Sequence, residues 1–191
     1  MKTPRPDYQV IVQMVPEGAR VLDLGCGDGE LLALLVQEKG VQARGVEVDE
    51  ANVRACVSRG LSVRHGNIED GLADFSDDAF DVVLLSQTLA YLDHPLPLLR
   101  EMARVGRSVI VSLDNAGHWR ARWRALCGRG AGAPLASGEP RVRVITLPQF
   151  EEAVARLGLR REERWLLVGA RRVRLWPHLL AEGAVFRVVK A

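Results

Sequence analysis

The 191-residue chain has a mass of 21.0 kDa, 48% hydrophobic residues, 26% charged residues and a net charge of +2. A chain of this size buries about 70% of its unfolded surface in one core, and the composition excludes disordered, collagen-like and coiled-coil classes. No run approaches the ~18 uncharged apolar residues of a spanning helix, and no apolar signal-peptide core follows the charged, proline-broken first residues. Cys26, Cys56 and Cys127 are too scattered for a disulfide framework or a metal knuckle, so a reduced, cytoplasmic protein is expected, without metal.

In chain order, short Val- and Leu-rich runs at 20–24, 43–48, 61–64, 80–86 and 108–113 read as strands buried on both faces of a parallel sheet. Helical patterns separate them at 29–38, 50–58 and 95–105, the last opening with proline in its first turn. Strand and helix alternating in this way predict an α/β fold, a Rossmann-like doubly wound sheet of about seven strands with helices on both faces. Beyond residue 113 the rhythm changes. A helix is expected over 116–127, with Trp119, Trp123 and Leu126 at buried-face spacing, then a turn-rich loop at 128–140 and a helix over 147–157. Two late strands, near 160–168 and 183–189, should close the sheet as a hairpin-like edge around a solvated basic run at 171–174. The whole chain, 1–191, reads as one domain, with a ligand-binding part at about 1–114 and an elaborated basic part at about 115–191. Charge follows that division: residues 1–114 carry 11 basic and 18 acidic side chains, residues 115–191 carry 15 and 6.

The strongest local signal is VLDLGCGDGE at 21–30. A buried strand ends at Leu24, and glycines at 25, 27 and 29 let the chain turn and let a ligand approach bare backbone. The helix start behind them suits an anionic or hydrogen-bond-accepting group. Glu47, at the end of the second strand, stands where a carboxylate accepts both hydrogen bonds of a ribose diol, with Val48 beside it. The nicotinamide fingerprint GxGxxG requires glycine where this chain has Glu30, and fails. The GxGxG form, with Asp23 before it, resembles instead the first motif of class I S-adenosylmethionine (SAM) methyltransferases. That resemblance implies Asn67 near the adenine amino group, Ile68 against the ring face, and a fourth strand whose tip presents Ser86, Gln87 and Thr88 to the pocket. Glu69 and Asp70 read as solvated loop charges.

Methyl transfer from an activated sulfonium depends mainly on alignment, so the lack of an obvious base is not decisive. His118, after the fifth strand, is a weak catalytic candidate against ordinary packing beneath a lid. Cys26 needs only to be small. The strand tip SQTL at 86–89 is not the Asn-Pro-Pro-Tyr of amino-group methylases, which argues against nucleic acid as a partner.

The segments RVLDLGCGDG (20–29), GVEVD (45–49), GLADF (71–75), LSQTL (85–89) and GHWR (117–120) together resemble the methionine-biosynthesis protein MetW family, from about residue 5 to residue 124. The resemblance implies a SAM-methyltransferase fold, SAM as cofactor with S-adenosylhomocysteine as product, and a homoserine O-acyltransferase as partner. The alternative is an active methyltransferase on a small-molecule acceptor. After Leu126 the likeness thins: SGEPRVR at 137–143 replaces an aromatic segment of the family.

Overall fold

Hydrophobic alternation along each strand decides which helices cover which face of the sheet. A computed structural model describes residues 5–127, 142–169, 171–173 and 176–191; the expected loop at 128–140 lies outside them. Their elements, in order, are α1 (Pro6–Met14), β1 (Arg20–Leu24), α2 (Glu30–Lys39), β2 (Gln42–Glu47), α3 (Glu50–Ser58), β3 (Ser62–His65), β4 (Phe80–Ser86), α4 (Pro95–Val105) and β5 (Gly106–Asp114). There follow α5 (Trp119–Leu126), α6 (Leu147–Arg156), β6 (Leu159–Val168), β7 (Arg171–Arg172), α7 (Pro177–Leu180) and β8 (Gly183–Lys190). Short 3-10 turns stand at Ile68–Asp70 and Leu89–Tyr91.

The strands form one sheet in the order β3-β2-β1-β4-β5-β8-β6-β7. Pairing is parallel from β3 to β5, and β8 runs antiparallel between β5 and β6. Leu22, Leu24, Val83, Leu85, Val109 and Val111 face α4 and α6 in one core. Val21, Val82, Leu84 and Ile110 face α1 and α2 in the other. Each such fully buried Val or Leu contributes about 1.5–3 kcal/mol. Because the period of a strand is two, the positions that continue the second face to the strand ends are Asp23, Ser86, Ser112 and Asp114. One face of the sheet thus ends in a row of polar groups, beneath the start of α1.

Four expectations need correction. The basic run expected as an insert is in part a strand: Arg171 and Arg172 pair antiparallel with Val168 and Leu167 as β7, the eighth strand among the described residues. The pair β6 and β8 does not simply form an edge, since β8 lies inside the sheet against β5. The helix expected from residue 116 begins at Trp119, because Asn115 and His118 hold the preceding turn. Its apolar stripe is not buried: Trp119 is 46% and Trp123 65% exposed, so the helix lies on the outside of the described structure. The α1 helix was not expected from the sequence, although Pro6 in its first turn and Asp7 after it are start signals. Its buried β-branched residues Val10, Ile11 and Val12 form a continuous apolar run that obscures the helical spacing.

Candidate functional site

The three glycines of the first loop have different physical reasons to be glycine. Gly25, Gly27 and Gly29 all have positive φ, at 71°, 56° and 79°. A side chain on Gly25 would strike Thr88 at 2.9 Å, and one on Gly29 would strike Leu61 at 2.6 Å and the Cys56 sulfur at 2.8 Å. A side chain on Gly27 would meet no atom of the other described residues within 4 Å beyond its chain neighbours. Gly25 and Gly29 are therefore packing glycines, whereas Gly27 borders open space. Behind the loop α2 follows Gly29, its N-cap, which offers no side-chain cap; the Glu30 N–H donates to Asp28 Oδ1 at 3.2 Å, leaving later first-turn N–H groups for a ligand or water.

Glu47 is buried and fixes that loop. Its Oε2 accepts from the Gly27 N–H at 2.8 Å, and its Oε1 accepts from the N–H groups of Val48 and Asp49 at 3.0 and 2.9 Å. A carboxylate has about four acceptor sites. Three are taken, so Glu47 has one left on Oε2, fewer than the two the sequence reading assigned to a ribose diol. Val48 beside it is 64% exposed, an apolar surface left uncovered at the rim.

Asp23 is the unusual member. Its carboxylate is buried, and its Oδ1 has no hydrogen-bond partner among the described residues. Burial first, then the neighbouring Glu47 charge, push its pKa up to about 7, while Arg5 pulls in the opposite direction. Cys26 is buried nearby, and burial, reinforced by Asp23, raises its thiol pKa, which keeps it unreactive.

Across the loop, Asn67 is exposed and its Oδ1 accepts from the Glu69 N–H at 3.0 Å, capping the 3-10 turn. Ile68 is buried in the core on the α4 side, so its side chain is committed to packing rather than presented as an open ring face. Glu69 is not a free loop charge: its carboxylate accepts from the N–H groups of Asp93 and His94, tying two loops together.

A second group converges on the tips of β4 and β5. Arg5 donates from Nε and Nη2 to the two oxygens of Asp7, at 3.2 and 2.7 Å. The same Asp7 Oδ2 accepts from Ser86 at 3.2 Å and from Ser112 at 2.8 Å. Ser86, expected to face the pocket, is thus the partner of a buried carboxylate. Gln87 follows with φ 57°, a backbone strain of about 1–3 kcal/mol that clusters at functional sites. Over these residues lies a cavity of about 690 Å³, bounded by Arg5, Asp7, Gln87, Asp114, Arg124 and Arg143 among others. Arg5, Asp7 and Asp114 were missed by sequence reasoning. His118 is buried outside the residues that line this cavity, and its Nδ1 accepts from the Arg120 N–H at 3.3 Å, so it serves the start of α5.

Comparison with known proteins gives a consistent result. The sequence model of the methionine biosynthesis protein MetW matches residues 5–188, well past the point where the sequence motifs thin out. A bifunctional methionine biosynthesis protein MetXA/MetW of Rhodopirellula baltica is 37% identical over 67% of the chain and 22% of its own length. The chain spans less than half the length of the curated relatives it matches. A SAM-dependent methyltransferase of Mesorhizobium loti superposes with a TM-score of 0.74 at 14% identity, covering 98% of this chain and 99% of that one. Another, from Thermotoga maritima, gives 0.71 at 20% identity, over 97% and 88%. These likenesses identify the fold as that of class I SAM-dependent methyltransferases. The chain belongs to the MetW family. Among its described residues no helix is long and apolar enough to cross a membrane.

Proposed function

We propose that this MetW-family chain binds SAM, or its product S-adenosylhomocysteine, along the ends of β1, β2 and β4, and acts in cytoplasmic methionine biosynthesis with a homoserine O-acyltransferase. The observation that carries the ligand reading is the buried Asp23 carboxylate, whose Oδ1 has no hydrogen-bond partner among the described residues, behind an open Gly27. An unpaired buried acid is costly unless a donor or cation completes it, and SAM carries a cationic end. The residues fit such a group. Asp23 offers the anionic partner, Gly27 the space, Glu47 one remaining acceptor, and Val48 an exposed apolar surface. Asn67 holds the rim through its cap, with Ile68 packed below it, and Gly25 and Gly29 fix the path of the loop. Ser86 acts at one remove, through Asp7.

When bound, SAM would supply a methyl group already activated for transfer. This chain's residues would orient it and shield it from water, with no proton transfer required of His118. The acyltransferase reading is supported by the Rhodopirellula baltica relative, whose name joins MetXA to MetW. The cavity over the tips of β4 and β5 favours the second reading, methyl transfer to a small-molecule acceptor.

Calorimetric titration with S-adenosylhomocysteine, with NAD as control, tests the ligand. Micromolar binding of the first alone is expected; binding of NAD, or of neither, would overturn it. For the partner, the acyltransferase is assayed with and without the chain. An unchanged rate together with no co-purification would remove it from the proposal.

A further inference from the structure

The cavity over β4 and β5 has charges that its own residues do not balance. Arg5 and Asp7 neutralise each other through their two hydrogen bonds. Asp114, at the end of β5 on the floor, makes no ion pair among the described residues within 4.0 Å; its carboxyl lies by the Gln87 side chain, with Asp7 and Arg5 as charged neighbours. The other walls carry the opposite sign. Arg143 belongs to the segment at 142–145, which is tied to the Ala90 carbonyl by its own N–H and to the Ala116 N–H through the Ile145 carbonyl. Its guanidinium donates to the carbonyls of Leu92 and Asp93, at 2.7 and 2.6 Å, so its charge is held in place with no carboxylate partner among the described residues. Arg124 reaches the cavity from α5.

One carboxylate on the floor and two guanidiniums on the walls match a ligand carrying both charges. A simple anion would meet Asp114, and a simple cation would meet Arg124 and Arg143. Between the charged groups the lining includes the apolar Leu89, Leu113, Val144 and Ile145, with Gln87, Tyr91 and Asn115 beside them. Leu89, Val144 and Ile145 also line an adjoining groove of about 330 Å³ that continues over the apolar Leu99 and Phe150, with Gln149, Glu152 and Arg156 also in its lining. Volumes of this order suit small molecules.

We propose that this cavity binds a zwitterionic α-amino acid with an apolar side chain, its ammonium on Asp114, its carboxylate on Arg124 and Arg143, and its side chain towards Leu99 and Phe150 in the adjoining groove. The assignment concerns what the cavity holds and rests neither on SAM binding nor on methyl transfer.

The test is a calorimetric titration of the full chain with three probes: L-leucine, its methyl ester, which lacks the carboxylate, and N-acetyl-L-leucine, which lacks the ammonium. L-leucine should bind about five- to tenfold more tightly than either derivative. Asp114→Asn should bring L-leucine down to the affinity of N-acetyl-L-leucine and leave that derivative unchanged. Arg124→Gln should bring it down to that of the methyl ester. Melting curves of both variants report the fold, and S-adenosylhomocysteine titration of the same samples reports the other pocket separately. Equal affinity for the three probes, no binding of L-leucine, or an Asp114→Asn protein that binds L-leucine as before would overturn the proposal.

Discussion

The two halves of the site are built in opposite ways. In the glycine-loop half, between β1 and β3, nearly every polar group is committed at short range: Glu47 to three backbone N–H groups, Asn67 to its own turn, Asp49 to the first turn of α3. One buried oxygen, on Asp23, is left over. In the half over β4 and β5, pieces far apart in sequence assemble a charged cavity: Asp7 meets Ser86 and Ser112, and Arg143 meets Leu92 and Asp93. The first half is shaped around one ligand surface, whereas the second is a walled space with unbalanced charge. Affinity for a nucleoside cofactor should therefore reside in the first, and the choice of a second ligand in the second.

Gly27→Val attacks the first half most directly. Its side chain would enter open space, so the fold should survive with about 1–2 kcal/mol of backbone strain while S-adenosylhomocysteine binding is lost. Gly29→Val is its counterpart, striking Leu61 and Cys56, and should cost about 2–5 kcal/mol of stability by denaturant unfolding. If the two variants behave alike, the loop is only a structural turn.

In the second half, Asp7→Ala strands Arg5, Ser86 and Ser112. It should cost about 1–3 kcal/mol by chemical denaturation, with S-adenosylhomocysteine affinity changing less than for any glycine-loop variant. A larger loss of cofactor affinity than of stability would merge the two halves. Glu47→Ala should weaken S-adenosylhomocysteine by about 1–3 kcal/mol, through the loop as well as through any direct contact. Trp123→Ser, on the exposed face of α5, should alter stability by no more than about 0.5 kcal/mol in the same assay, because little burial is lost.

The same contrast explains what was legible in the sequence. Asp23, the glycines and Glu47 lie within 30 residues, and their spacing follows from strand, turn and helix lengths, so pattern alone located them. The five parallel strands were equally visible, since burial on both faces leaves continuous apolar runs. Asp7 and Asp114 carried no such mark. An aspartate near the N-terminus and another at a strand end look like solvent-facing charges until the fold sets one over Ser86 and the other at the cavity floor. The stripe on α5 misled for a related reason: helical spacing gives a face, but only tertiary packing says whether anything lies against it. Glu47 shows the subtler gap. Its position was readable, but not that three backbone groups already occupy it.

Asp23 also links the site to pH. Its pKa is raised in the folded protein from an ordinary 3.8 to about 7, so the fold binds more protons than the unfolded chain between those values. Its contribution to stability is therefore greatest below pH 4 and declines as pH rises towards 7. A cationic ligand end beside Asp23 favours the ionised form, and binding below pH 7 should release the proton. The decisive measurement is S-adenosylhomocysteine calorimetry at pH 6 in buffers of different ionisation enthalpy, on the native chain and on Asp23→Asn. The expected result is release of about one proton per ligand by the native chain, none by the variant, and weaker binding by the variant. Tight binding with no proton release, identical in both proteins, would contradict the role of Asp23 and the reading of this pocket built on it.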